Sequence, residues 1–169
     1  MGMITVFHLA RREQISSLLA SPEQVIEFLH DTHREDAGRA PDSLDLDKAW
    51  HGLHFLLTGT AWGGTPPLNF IVAGGDTIGD VEVGYGPARA FTPEQLAEVS
   101  RALDAISSDT LRQRFDPAKM TELDIYPSIW DRDPADDDTL GYVIEYFEML
   151  KPFLREGAER GLGLIVYVS

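Results

Sequence analysis

The chain has 169 residues, 43% hydrophobic and 25% charged, an ordinary composition for one globular domain with a core of its own. Its 14 basic and 28 acidic residues give a formal net charge of −14, which disfavours nucleic acid and anionic membranes and permits a partner with a basic surface. There is no cysteine, which excludes disulfides, thiolate metal sites and cysteine nucleophiles, and no apolar run approaches the ~18 residues of a membrane span.

The N-terminal run M-G-M-I-T-V-F-H-L-A has no basic region and no small-residue cleavage pattern, so no signal peptide is expected. Val6 stands where a myristoylation motif needs Ser or Thr. These features predict a cytoplasmic chain. Met3 to Leu9 is β-branched and aromatic, which predicts a buried strand. Arg11 to Leu19 carries Ile15, Leu18 and Leu19 at helical spacing. Ser21-Pro22-Glu23-Gln24 predicts a second helix start, with Ser21 and Gln24 as a capping box and Pro22 at the first position. The polar run Asp31 to Asp42 predicts a loop.

The run L-D-L-D-K-A-W-H-G-L-H-F-L-L-T-G, Leu44 to Gly59, predicts a helix capped by Asp45 or Asp47 and stopped by Gly59. Its second half is apolar on nearly every side, so it should be the buried central helix. Gly63 to Gly86 contains seven glycines and two prolines. Within it, Leu68 to Ala73 and Val81 to Tyr85 read as short strands or ordered loop. Thr92 and Gln95 form a second capping box, ahead of a helix face of Leu96, Val99, Leu103 and Ile106. Ser108 to Phe115 predicts a short helix, and Asp116-Pro117 starts another that stops before Ile125. Asp136 to Asp138 place negative charge at the start of a long last helix, where the helix dipole favours it. Pro152 should kink or divide that helix. Leu164 to Val168 predicts a terminal strand. The expected architecture is α+β: one helix-dominated domain over residues 1–169, with a small sheet that contains both terminal strands and packs around the central helix.

Asp45, Asp47, Lys48, Trp50, Leu53, His54, Phe55, Leu57, Thr58 and Gly59 form a pattern that resembles the YfbM-like family. Met1-Gly2-Met3, Gly84 to Arg89, Ile125-Tyr126-Pro127, Trp130 and Tyr146-Phe147 with Leu150 extend the resemblance over nearly the whole chain. The family is of unknown function, so the resemblance implies a fold and brings no reaction, substrate or catalytic residue.

His51 and His54 lie three apart on the central helix and could hold a metal only with a third ligand from elsewhere. H-E-x-x-H and cysteine partners are absent, so no metal is expected. His54 is either a buried, hydrogen-bonded histidine or a pocket residue able to act as a general base. Gly84 to Arg89 could hold an anion but has neither dinucleotide nor P-loop spacing, and reads better as a glycine turn. Asp131 to Asp138 fails the calcium-loop pattern at Ala135, Asp136 and Tyr142. No G-x-S-x-G elbow is present, and no cofactor is implied. Trp50, Trp62, Tyr85, Tyr126 and Trp130 form an aromatic set around these motifs. The best reading is a small acidic cytoplasmic domain that binds a protein partner without catalysis. The alternative is a small-molecule-binding protein or enzyme with a pocket around His54, lined from Trp50, Tyr85, Arg89, Tyr126 and Trp130.

Overall fold

Alternation along the two terminal strands decides the architecture. β1 (Thr5–Ala10) and β5 (Gly163–Val168) pair antiparallel, from Thr5 opposite Val168 to Ala10 opposite Gly163. Successive side chains point to opposite faces of a strand. Phe7, Leu9, Leu164 and Val166 therefore enter one core, while Ala10, Ile165 and Tyr167 enter another on the far side. The computed structural model describes residues 2–31 and 42–169. Its described residues complete a five-stranded antiparallel sheet with β2 (Ser43–Asp45), β3 (Asp76–Thr77) and β4 (Arg89–Phe91), in the order β2-β1-β5-β4-β3. The α+β class and the place of both terminal strands agree with the sequence. Most of the loop expected over 31–42 lies outside the described residues.

The smaller core lies under α1 (Arg12–Ala20) and α2 (Val25–Asp31), which bury Ile15, Leu18, Val25 and Leu29. Ser21 does not cap: its side chain makes no cap hydrogen bond. The first turn there is a 3-10 turn over Pro22–Gln24, and Gln24 N–H bonds the Ser21 main-chain carbonyl at 3.1 Å. The tighter i→i+3 turn uses a backbone acceptor where the capping box would have used the hydroxyl.

The larger core is built around α3 (Trp50–Thr58), in which every residue from Trp50 to Leu57 is buried. Gly59 ends it at φ 74°, with its N–H on the Phe55 carbonyl at 2.7 Å, as a left-handed C-terminal glycine should. No aspartate caps α3, contrary to the expectation from sequence. Asp45 belongs to β2, and Asp47 opens a 3-10 turn over Asp47–Ala49. The Asp45 carboxylate accepts the Asp47 N–H at 3.0 Å, and Asp47 accepts the Tyr142 hydroxyl at 2.5 Å, so neither caps α3.

α4 (Pro93–Asp104) has the Thr92–Gln95 capping box in both directions, at 3.2 and 2.8 Å. α5 (Ser108–Arg114) and α6 (Pro117–Glu122) follow, the latter capped by Asp116. α7 (Thr139–Glu159) is capped by Asp138 through Gly141 N–H at 2.8 Å. Pro152 does not divide it. Pro152 and Glu148, the residue four before it, are both exposed, so the carbonyl that loses its N–H partner can turn to water. Leu68–Ala73 and Val81–Tyr85 are ordered turns and bends, and the short strands near them are β3 and β4.

Gly52 is a point of close approach in the larger core. A Cβ there would stand 2.5 Å from the Trp130 ring, whose Nε1 is held by the Ile125 carbonyl at 2.7 Å. Gly52→Ala should therefore cost about 1–3 kcal/mol by overpacking, and Leu53→Ala about 2–5 kcal/mol by leaving a cavity. Urea unfolding of each variant beside the parent measures both. An unchanged midpoint for Gly52→Ala would contradict the Trp130 contact.

Candidate functional site

α3 carries both histidines into the core, and their partners fix what they can do. His51 is fully buried. Its Nδ1 faces the Tyr126 N–H at 2.8 Å and its Nε2 faces the Ala61 carbonyl at 2.7 Å. A backbone N–H can only donate and a carbonyl can only accept. His51 must then be neutral, with its proton on Nε2, and neither nitrogen has a lone pair left for a metal. Burial lowers its pKa below 6.5, and the Ala61 carbonyl offsets only part of that.

His54 is also fully buried. The Thr58 hydroxyl donates to the His54 carbonyl at 2.9 Å, so its oxygen can accept the His54 Nε2–H at 3.3 Å. Nδ1 has no hydrogen-bond partner among the described residues. Burial first, and then the neighbouring His51, lower its pKa to about 4; the Gly63 carbonyl opposes them in part. A general base needs access to a substrate and a pKa near the working pH, and His54 has neither.

The aromatic residues next to His51 reach the surface. Trp50 stacks on His51 with ring centres 4.9 Å apart, Tyr126 lies 5.8 Å from Trp50, and Trp62 stands 4.3 Å from His51 and 6.0 Å from Trp50. Trp50 is nearly sealed, its Nε1 donating to the Met3 carbonyl at 3.0 Å. Trp62 is 62% exposed. It borders a cleft of about 260 Å³ lined also by Met3, Trp50, Val72, Tyr85 and Arg89. Tyr85 is 56% exposed. Hollows of 230 to 420 Å³ elsewhere include neither Trp62 nor Tyr85.

Arg89 is committed within the fold. Its Nη atoms donate to the carbonyls of Phe70, Ile71, Ala73 and Gly74 at 3.0, 2.8, 2.5 and 3.1 Å. Its guanidinium lies 5.5 Å from the Phe91 ring centre. It ties the segment 70–74 to β4, has no carboxylate partner among the described residues, and burial lowers its pKa to about 10.

Of the residues suspected from sequence, the fold brings Trp50, Tyr85 and Arg89 together at the cleft, with Tyr126 behind Trp50. His54 and Trp130 lie in the core away from it. Met3 and Val72 also belong to the lining, and neither stands out in the sequence as a site residue: Met3 reads there as a strand start and a family position. Trp62 carried one: a tryptophan in the run G-T-A-W-G-G has no periodic apolar partner to bury it. Among the described residues no three metal-ligating side chains stand together, and no helix is long and apolar enough to cross a membrane.

Residues 1–167 match a family described as a domain of unknown function, DUF1877. The chain belongs to this family. Protein YfbM of Escherichia coli (strain K12) is 32% identical over 133 residues, which are 76% of this chain and 75% of that protein. The crystal structure of YfbM from Escherichia coli, a protein of unknown function, has the same fold, with a TM-score of 0.75 over 98% of this chain and 99% of that one at 24% identity. The YfbM-like resemblance read from the central helix is therefore correct. Like the resemblance, the family supplies no reaction.

The sealed histidines make stability depend on pH with a defined sign. Their folded pKa values lie below the 6.5 of the unfolded chain, at about 4 for His54. Above pH 6.5 both states hold these rings neutral and the histidines add no pH dependence. As pH falls from 6.5 towards about 4 the unfolded chain takes up the protons first, so stability falls. Urea midpoints at about pH 7.5 and 5 should fall further for the parent than for His54→Gln, carboxylate contributions being common to both. Equal falls would contradict the sealed, neutral ring.

Proposed function

We propose that this chain is a small acidic, non-catalytic binding domain of the cytoplasm, and that the Trp62–Tyr85 cleft is the surface by which it holds a protein partner. The observation that carries the reading is a division of labour among the residues around α3. Of the polar groups suited to chemistry, His51 and His54 are buried, and the Nη groups of Arg89 are engaged by main-chain carbonyls. The groups left facing solvent are aromatic rings around a depression. Trp and Tyr are the residue types that most often anchor interfaces, because a large ring buries much area with few rotors. A net charge of −14 directs such a domain away from nucleic acid and towards a basic surface. The cytoplasmic placement rests on a chain with no cysteine to oxidise.

The test is affinity capture from the source cells on the parent protein and on Trp62→Ala, Tyr85→Ala, His54→Gln and Met149→Ala. Met149 is another exposed hydrophobic residue and serves as the control. A partner should be retained by the parent, the His54 variant and the Met149 variant, and lost from both cleft variants. Capture that ignores Trp62 and Tyr85, or that disappears only with a still-folded His54→Gln, would contradict the proposal.

A further inference from the structure

We infer that the hollow between the starts of α6 and α7 is a further docking site, which seats an apolar side chain of a protein segment next to a lysine or arginine of the same segment. It shares no lining residue with the Trp62–Tyr85 cleft and does not rest on the reading of that cleft.

The walls set the apolar half of the occupant. Phe115, Pro117, Trp130, Pro134 and Leu140 line a hollow of about 370 Å³, within the roughly 300–1,000 Å³ of ligand sites. These walls offer a polar group little to bond. The two prolines have no N–H. Trp130 Nε1 donates to the Ile125 carbonyl at 2.7 Å, and the Thr139 N–H donates to the Asp137 carbonyl at 3.0 Å. Burying a polar group without a partner is costly, whereas an apolar side chain gains by leaving water.

Charge sets the other half. Four charged residues line the hollow: Asp131, Arg132, Asp137 and Asp138. Arg132 and Asp137 pair at 2.6 Å and balance each other. Asp131 is exposed and forms no ion pair with a described residue. Asp138 is exposed too, and its carboxylate accepts the Gly141 N–H at 2.8 Å, which holds it in place without a cationic side chain. The lining thus carries two negative charges that no side chain of its own offsets. The carboxylates do not converge as a metal cage would, since no three metal-ligating side chains stand together among the described residues. A basic side chain on a long flexible stem, anchored by its apolar neighbour in the hollow, reaches such spread charges.

The acidic wall is set before anything binds. The N–H groups of Asp136 and Asp137 both bond the Asp133 carbonyl, at 2.9 and 3.0 Å, and the Asp133 carboxylate accepts the Ala135 N–H at 2.9 Å. The Arg132–Asp137 pair closes the same turn. Preorganised groups lose less freedom on association. The run Asp131 to Asp138, which fails as a calcium loop, thereby gains a use as the charged rim of an apolar seat.

The experiment measures fluorescence anisotropy of labelled, unstructured Gly-Ser peptides with the full chain, at about 0.05 and 0.3 M salt. One peptide carries Leu-Lys-Lys at its centre, a second Ser-Lys-Lys, a third Leu-Gln-Gln. The first should bind. The second should bind about tenfold more weakly, the scale of a buried leucine, and the third about fivefold more weakly. Asp131→Asn should weaken the first peptide about threefold at the lower salt and less at the higher. Leu140→Ser, its folding checked by the urea midpoint, should weaken it too, and so should Pro134→Ser at an exposed position of the lining. Glu98→Gln makes the same charge change at an exposed site outside the hollow and should have no effect, as should Trp62→Ala. Absence of binding, or equal binding of the Leu and Ser peptides, would overturn the proposal. So would equal effects of Asp131→Asn and Glu98→Gln, which would leave only the overall charge as the attraction. Loss of binding with Trp62→Ala would move the peptide to the other cleft, overturning this inference and leaving the reading of that cleft in place.

Discussion

A single imidazole joins three parts of this chain. His51 sits on α3, accepts from the backbone of Tyr126 and donates to the backbone of Ala61. The ring is fully buried and both bonds are at least partly shielded from water, where an unmade hydrogen bond is costly. They require the neutral ring with its proton on Nε2. Trp62 follows Ala61 directly and rests against the same ring, and Tyr126 stacks behind Trp50. The geometry of the cleft wall is thus fixed by one protonation state inside the core. This histidine organises the surface beside it without meeting solvent.

The same burial accounts for the absence of obvious chemistry around α3. A helix that is apolar on all sides can carry histidines only if the fold satisfies or neutralises them. His51 is satisfied by two main-chain groups. His54 is neutralised, with its pKa far below the range in which a histidine exchanges protons at physiological pH. Arg89 follows similar logic in a different environment: four carbonyls take the place of a carboxylate. Polar residues that look like a site in sequence are here the joints of a glycine-rich wall.

Much of the fold was legible because local signals matched tertiary need. The terminal strands have β-branched, aromatic runs; Thr92–Gln95, Asp116 and Asp138 cap as their residue types allow; Gly59 stops α3. What failed was set by distant partners. β2 is three residues long and exists because Val6 to His8 pair with it. Asp47 looks like a cap, but the Tyr142 hydroxyl, 95 residues away, engages its carboxylate. Ser21 lost its capping role to a 3-10 turn. Pro152 stayed inside a helix because the affected turn faces water. For the candidate site, sequence named Trp50, Tyr85 and Arg89, which do meet, but not that Arg89 would be consumed by the segment 70–74. No periodicity encodes that contact, since both segments lie in irregular chain.

The state of the His51 ring is the point on which the account turns, and it can be observed directly. Long-range proton–nitrogen correlation spectra of the imidazoles, followed from neutral pH to about 5.5, report tautomer and titration together. The account predicts that the His51 ring is locked as the Nε2-protonated tautomer, with a lone-pair shift at Nδ1, and does not titrate near 6.5. A His51 ring that averages between tautomers, or titrates at its ordinary value, would contradict it.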